Sequence, residues 1–179
     1  MMIKSLKSSK YFLSLVKKNL KLWTDKPIKL KPRKIFMARI KIEIPGKFLF
    51  KTEISVRITD INYGGHLGND SLLSIIHEAR VRFLKHLSYS EKEVEGSGII
   101  MTDAAIQYKS ESFSGDKLLI EVGMMDFSKI GCDIVYRITN SNSKKEIALA
   151  KTGIVFFDYK NKKIARLPEK FKLRIESLN

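Results

Sequence analysis

A single helix followed by four strands is the pattern that most limits how this chain can fold. Apolar residues recur every three or four positions in residues 72–87, which predicts one long helix with a broad buried face. Asn69 or Asp70 stands where this helix would begin, and either side chain can cap it. The strand-like segments that follow are IIMTDAAIQY, KLLIEVGMMDF, CDIVYRIT and EIALAKTGIVFFD. With one helix available to a whole antiparallel sheet, the sequence predicts an α+β fold with the sheet wrapped around the helix.

Two further elements flank this pattern. The segment FKTEISVRI, from Phe50 to Ile58, reads as a strand ahead of the helix, and Pro168 to Leu178 is predicted to form a short helix at the end. Polar, ionisable and glycine residues are concentrated in DINYGGHLGND, between the first strand and the long helix. Because functional side chains are often carried by loops on a rigid scaffold, this stretch is the first candidate for a site.

The positive charge of the chain is concentrated at its beginning. The formal net charge is +15, but residues 1–36 hold ten Lys, Arg33 and a single acid, Asp25, and so carry a net +10. The rest of the chain is therefore only moderately basic. The high pI does not by itself predict that the folded part binds nucleic acid, and no nucleic-acid partner is expected.

Residues 1–36 are predicted to be a basic N-terminal extension, and residues 37–179 the folded domain. Within the extension, five apolar residues fall close to one face of a hypothetical helix: Leu6, Leu13, Val16, Leu20 and Trp23. This pattern is typical of a helix that lies on a membrane surface and of organellar presequences. A disordered basic extension ahead of a start at Met37 fits the same sequence, so both interpretations stay open.

The single cysteine limits the chemistry further. Cys132 excludes an intrachain disulfide, and no Cys or His spacing suggests a zinc site. No apolar run reaches the roughly 20 residues needed to span a bilayer. We therefore expect a cytoplasmic protein without a metal or cofactor, with organellar targeting as the alternative that the extension allows.

The stretch VRITDINYGGHLGNDSLLSIIHEARVRFL resembles the hotdog-fold acyl-CoA thioesterases of the 4-hydroxybenzoyl-CoA thioesterase type. In that family a strand ends in Asp-x-Asp, and a glycine-containing turn leads to His-Val-Asn-Asn and a helix ending in Glu-Ala-Arg. YKSESFSGD is similar to the family's Tyr-x-x-Pro-x-x-x-Gly-Asp turn, and the resemblance covers roughly Lys51 to Asp158. It implies a hotdog fold, hydrolysis of an acyl-CoA or acyl-carrier-protein thioester, and a homodimer or homotetramer.

The resemblance also implies catalytic residues, with one departure. Asp60 matches the first acid of the motif and His66 its histidine, but Asn62 stands where the family has its second Asp. An amide cannot accept a proton from water, although it can orient a water molecule. Asp60, Asn62 and His66 are the catalytic candidates, while structural roles in the turn remain open for each of them.

The start of the helix is predicted to contact the substrate. The first backbone N–H groups of a helix lack partners within the helix and can stabilise charge on a thioester oxygen. Gly64 and Gly65 would let the backbone approach closely, and Leu67 and Asn69 are further substrate-binding candidates. Asn69 also fits a purely structural role as a helix cap.

Four more candidate residues lie outside DINYGGHLGND. Asp103 interrupts an apolar strand, and alternation places it on one face with Met101, Ala105 and Gln107. It is expected either to face solvent or to supply a carboxylate to a partner subunit's site. Glu78 is expected to form a structural ion pair, and the lysines at 109 and 117 are candidates for holding coenzyme A phosphates.

Two alternative functions remain open. The hydratase and dehydratase branch of the hotdog fold uses Asp-x-Asn-Pro-x-His, and DINYGGH shares the Asp, Asn and His but lacks the Pro and has one extra residue. A non-catalytic acyl-thioester-binding module would explain the amide at Asn62. Peripheral membrane contact through residues 1–36 is compatible with each of these functions.

Overall fold

The computed structural model describes residues 40–178, which lie in the second of two units divided between Ala38 and Arg39. The predicted extension, residues 1–36, lies outside the described residues. The elements in chain order are β1 (Phe50–Ser55), a 3-10 turn (Ile58–Asp60), α1 (Asn69–His86), β2 (Gly98–Tyr108), β3 (Lys117–Met125), β4 (Gly131–Asn140), β5 (Glu146–Asp158), β6 (Lys163–Ile164) and α2 (Glu169–Glu176).

The strands form one antiparallel sheet in the order β1-β3-β4-β5-β2, with the short β6 paired to β5. The four strands predicted after the long helix are all present, and β5 has the predicted bounds. The first strand is shorter than predicted. It ends at Ser55, because the chain then enters the 3-10 turn, whose N-cap is Arg57. The strand β6 was not predicted, since two residues carry no readable alternation.

Helix α1 packs its apolar face against the sheet. Its residues Leu72, Ile76, Ala79 and Phe83 are buried at the spacing that the sequence predicts. They share one core with alternate residues of three strands: Leu118, Ile120, Val122, Ile134, Tyr136, Ile138 and Phe156. Each large apolar side chain buried in this way stabilises the fold by about 1.5–3 kcal/mol. The predicted α+β arrangement, a single long helix against an antiparallel sheet, is confirmed.

The helix begins differently from the prediction. Its N-cap is Gly68, in an extended conformation, and no side chain caps the helix. Asn69 and Asp70 are instead the first two helical residues, and both are exposed. The backbone explains the difference, because the N–H of Gly68 donates to the carbonyl of Asp60 at 2.9 Å and holds Gly68 where a cap residue sits.

A bulge in β2 corrects the predicted face of one residue. Met101 pairs with Ile154 while Asp103 pairs with Gly153, so two steps along β2 match one step along β5. Alternation is therefore broken at this point, and Met101 lies on the opposite face of the sheet from Asp103. Met101 approaches Arg80 of α1, with its sulfur 3.8 Å from the guanidinium Nη1.

The outer face of the sheet carries a second, smaller core. Ile42 packs there with Val135 and Leu149, and Ala105 contributes from β2. The segment ahead of β1 crosses this face, since the backbone carbonyl of Ile40 accepts a hydrogen bond from the Gln107 side chain at 2.6 Å. Both faces of the central strands are thus covered.

Candidate active site

A tight hairpin connects the 3-10 turn to α1. Ile61 and Leu67 form an isolated antiparallel bridge, and the N–H of Asn62 donates to the carbonyl of His66 at 2.9 Å. Gly65 has φ +83°, the left-handed conformation that glycine adopts without steric cost. The hairpin carries His66 to the N-terminal end of α1 on a short and well-bonded connection.

Asp60 is buried at the base of this hairpin. Its Oδ2 accepts the backbone N–H of Arg57 at 2.8 Å and the Arg57 Nε at 3.2 Å, while its Oδ1 accepts Nη2 at 3.0 Å. The hydrogen bonds and charge of Arg57 hold the pKa of Asp60 below its ordinary value. Because Arg57 engages both carboxylate oxygens, this geometry favours a structural role for Asp60 over its predicted catalytic one.

Asn62 orients the imidazole of His66. The Asn62 Oδ1 accepts the N–H of Gly64 at 2.8 Å, which directs the amide Nδ2 toward the Nδ1 of His66 at 3.4 Å. The same Nδ1 lies 3.4 Å from the carbonyl of Leu67. A neutral Nδ1 can accept from the amide and a protonated Nδ1 can donate to the carbonyl, so both states of the ring have a partner.

Gly64 makes room for these two side chains. A Cβ on this residue would lie 3.1 Å from both the His66 Nε2 and the Asn62 Oδ1. Gly64 and Gly65 therefore shape the turn beneath His66, and neither lines the pocket described next. Their predicted contact with substrate stays a prediction.

His66 stands at the edge of a pocket of about 280 Å³ beside the start of α1. The lining is largely apolar and comes from the hairpin, the helix start, the end of β2 with the turn after it, and the start of β5: His66, Leu67, Asn69, Leu72, Tyr108, Lys109, Ser110, Glu111, Ser112 and Ile147. Three predicted site residues, His66, Leu67 and Asn69, are thus brought together. The helix end at this pocket has no side-chain cap, so its first-turn N–H groups are available to a ligand.

The second wall of the pocket is the turn after β2, residues 109–116. Lys109 and Ser110 both donate backbone hydrogen bonds to the carbonyl of Ile147, at 2.8 and 3.2 Å. Ser112 is buried, and its backbone carbonyl accepts the N–H of Leu67 at 2.8 Å. The turn is therefore fixed both to β5 and to the hairpin that carries His66.

Asp116 holds this turn from within. Its Oδ2 accepts the backbone N–H of Phe113 at 2.8 Å and the hydroxyl of Ser112 at 2.7 Å. These hydrogen bonds lower the pKa of the Asp116 carboxyl. The sequence motif YKSESFSGD thus forms a rigid wall, but the pocket position of Glu111 within it was missed. The only signal for it was an ionisable residue inside a motif already matched to a family.

Of the remaining candidates, Asp103 and Lys117 lie away from the pocket. Asp103 lies in the middle of β2 and does not line the pocket; its carboxylate accepts a hydrogen bond from Thr102 at 2.9 Å. Lys117 lies 3.7 Å from Glu53, and of the two lysines considered for coenzyme A only Lys109 lines the pocket. Supply of a carboxylate by Asp103 to a partner's site stays a prediction.

Two residues with reactive side chains are occupied by an ion pair or buried in the core. Glu78 accepts a hydrogen bond from Arg82 at 2.8 Å, which confirms the ion pair expected for it. Cys132 is buried in β4, and burial raises the pKa of its thiol to about 12. The thiol stays protonated at neutral pH and is not a nucleophile. Among residues 40–178, no group of three His, Cys, Asp or Glu side chains is arranged to hold a metal ion.

Comparison with known proteins connects this geometry to a family. The family model described as the thioesterase-like superfamily matches residues 56–175, which include the hairpin, α1, the pocket and the whole sheet after it. The chain belongs to the thioesterase-like superfamily. This membership confirms the predicted reaction class, hydrolysis of a thioester, and the predicted relationship to hotdog thioesterases.

Solved structures that are named as thioesterases share the fold. A 1,4-dihydroxy-2-naphthoyl-CoA thioesterase from Synechocystis is 24% identical, with a TM-score of 0.65, 72% of this chain covered and 96% of that one. A thioesterase complexed with coenzyme A and Zn from Thermus thermophilus is 21% identical, with a TM-score of 0.64 and coverages of 73% and 95%. A gentisyl-coenzyme A thioesterase is 16% identical, with a TM-score of 0.61 and coverages of 69% and 99%. No curated protein sequence matches the chain.

Proposed function

We propose that this thioesterase hydrolyses an acyl-CoA thioester, releasing free acid and coenzyme A. The observation that carries the proposal is the position of His66 on a largely apolar pocket, beside a helix start without a side-chain cap. An apolar pocket accepts the acyl group, and the uncapped N–H groups of α1 can stabilise the oxygen that becomes negative during attack. The similar structures that act on or bind coenzyme A compounds support the same substrate class.

The pocket size favours a small acyl group. At about 280 Å³ the pocket is at the lower end of the range of roughly 300–1,000 Å³ that holds drug-sized ligands. Leu72 and Ile147 supply apolar lining, and Tyr108 adds an aromatic ring at the end of β2. We therefore expect short or single-ring acyl groups to be turned over faster than long chains.

Release of thiol from a panel of short, long and aromatic acyl-CoAs tests the proposal directly. Wild-type protein should release thiol, and His66→Ala should lose at least about 100-fold in kcat/KM, the usual worth of a side chain that stabilises the charge developing in the transition state. Absence of turnover across the panel, with activity appearing only in Asn62→Asp, would instead identify a non-catalytic acyl-thioester-binding module. A parallel assay on acyl-carrier-protein thioesters decides which carrier is preferred.

We further propose a homo-oligomer. The strands β1 and β2 form the two edges of the sheet, and the middle of β2, Met101–Ala104, is exposed. An exposed edge strand offers unpaired backbone groups to a second chain. A solution mass of two or four times 20.6 kDa is expected from light scattering, and a mass of one chain would contradict the proposal.

Membrane contact through residues 1–36 and a cytoplasmic location are also proposals. Neither helix within residues 40–178 combines the length and the hydrophobicity that a membrane-spanning helix needs. Deleting residues 1–36 should abolish salt-sensitive binding to anionic vesicles and leave turnover unchanged, because the charge is concentrated in that stretch. Vesicle binding that survives the deletion would rule out the extension as the anchor.

A further inference from the structure

We propose that Glu111 is the catalytic base of this thioesterase, in place of the acid that Asn62 replaces. The inference rests on the proposed function, because it assigns a role within thioester hydrolysis. Glu111 is the one carboxylate in the lining of the pocket that also holds His66. It is exposed, as a group that must reach substrate and water has to be.

The backbone brings Glu111 and His66 to the same rim. His66 immediately precedes Leu67, and Glu111 immediately precedes Ser112; the N–H of Leu67 donates to the carbonyl of Ser112 at 2.8 Å. Each ionisable residue is thus one position away from the same hydrogen bond. Because Asp116 anchors Ser112 and the turn, the carboxylate of Glu111 is presented from a fixed backbone.

Two other acids near the site are already engaged, and Asp70, in the first turn of α1, does not line the pocket. Both oxygens of Asp60 accept hydrogen bonds from Arg57, and Asp116 accepts from Ser112 and Phe113. Glu111, in contrast, has no hydrogen-bond or ion-pair partner among residues 40–178. A carboxylate without a partner keeps its lone pairs for a water molecule, which is what a general base requires.

The sequence departs from the family motifs at two positions that concern the base. In the turn motif that YKSESFSGD resembles, proline occupies the position of Glu111, and in the hairpin motif an acid occupies the position of Asn62. The chain therefore lacks a carboxylate in the hairpin that carries His66 and has one in the turn that forms the other wall of the pocket. The two walls meet at the bond between Leu67 and Ser112.

The reaction step balances with water as the only co-reactant. Glu111 accepts a proton from water as the water oxygen bonds to the thioester carbonyl carbon. When the carbon–sulfur bond breaks, the same proton passes from Glu111 to the leaving sulfur. The products are the free acid and the thiol, and Glu111 returns to its carboxylate form.

Steady-state kinetics of Glu111→Gln, with an acyl-CoA that the wild type turns over, test this role. We expect kcat to fall by about 100-fold or more with KM within about threefold, because the amide keeps the shape and loses the base. Glu111→Asp should recover part of the activity. Glu111→Ala should be accelerated by added formate, which supplies a carboxylate to the vacated space, whereas Glu111→Gln should not respond.

Two readouts separate catalysis from a structural role. The fall of kcat at acid pH, which reports protonation of the base, should disappear in Glu111→Gln. The thermal midpoint should stay unchanged, because Glu111 has no partner to lose among the described residues. Glu169→Gln, an exposed glutamate in the first turn of α2, is the matched control and should keep full activity.

The outcomes distinguish the inference from the proposed function. Activity of Glu111→Gln within a few-fold of an active wild type would overturn the role of Glu111 and leave the thioesterase assignment intact. A large loss in Asp70→Asn, with Glu111→Gln unaffected, would assign the base to the first turn of α1 and overturn it equally. No turnover by the wild type would refute the proposed function itself.

Discussion

The ionisable groups on the two sides of the α1 N-terminus differ in whether they have hydrogen-bond and ion-pair partners. On one side, Asp60 is buried and holds Arg57 through both carboxylate oxygens, and Glu78 pairs with Arg82 on the helix. On the other side, His66 and Glu111 line an open pocket, and Glu111 has no charged partner among the described residues. The paired side stabilises the hairpin, and the unpaired side is free to meet a substrate.

Proximity in sequence is therefore a poor guide to shared chemistry in this protein. Asp60 and His66 belong to one short motif, yet they face different cavities. Glu111 belongs to a distant turn, yet it shares a pocket with His66. Changes on the pocket side should therefore affect turnover, and changes on the paired side should affect stability.

The largest effect is expected from combining the two pocket residues. If His66 and Glu111 act in the same chemical step, the double variant His66→Ala/Glu111→Gln should be slower than the slower single variant by no more than about threefold. Independent residues would instead multiply their losses. Thiol-release kinetics of the four proteins, measured at one pH, decide between these outcomes; multiplicative losses would separate the two roles.

The next largest effect is expected at Asp60. Asp60→Asn should lower the free energy of unfolding by about 1–3 kcal/mol at pH 7, because charge-assisted hydrogen bonds to Arg57 are lost. The folded pKa of Asp60 is lowered, so its stabilising contribution is complete above its unfolded pKa and is lost as pH falls through the folded value.

Urea unfolding of wild type and Asp60→Asn from pH 7 down to pH 3 checks this dependence. The stability difference between the two proteins should shrink toward the acid end. A constant difference across the range would show that ionisation of Asp60 does not stabilise the hairpin.

A smaller effect is expected at Gly65, which lies in the hairpin between Asp60 and His66. Gly65→Ala should cost about 1 kcal/mol of stability, because φ +83° is unfavourable for a residue with a Cβ although the surrounding space is open. Gly46→Ala is the matched control, since its Cβ would also meet nothing within 4 Å and its φ lies outside the left-handed region. Equal stabilities of the two variants by urea unfolding would contradict the conformational argument.

The smallest effect is expected at Glu78. Glu78→Gln should change the free energy of unfolding by at most about 0.5 kcal/mol, because its pair with Arg82 is exposed on the helix surface. Activity should stay at the wild-type level, since Glu78 does not line the pocket. A large loss of kcat in this variant would show that a residue on the paired side takes part in catalysis.

Much of the fold could be predicted from the sequence, because helices and strands follow from patterns of neighbouring residues. The spacing of Leu72, Ile76, Ala79 and Phe83 predicts α1, since one helical face must be buried. Alternation predicts the strands for the same reason, and the bounds of β5 agree with the prediction. The cap at Gly68 and the bulge before Asp103 were not predicted, because each depends on a hydrogen-bond partner supplied by another element.

Periodic patterns and short motifs were enough to predict the helix, the strands, the motif that carries His66 and the relationship to thioesterases. Which acids have hydrogen-bond partners, and which do not, depends on the folded chain. It turns Asp60 toward Arg57, and it joins Leu67 to Ser112 so that Glu111 shares the pocket of His66. The reason is physical, because periodicity records which face is buried, whereas the pairing of distant side chains follows from how the sheet and its loops pack.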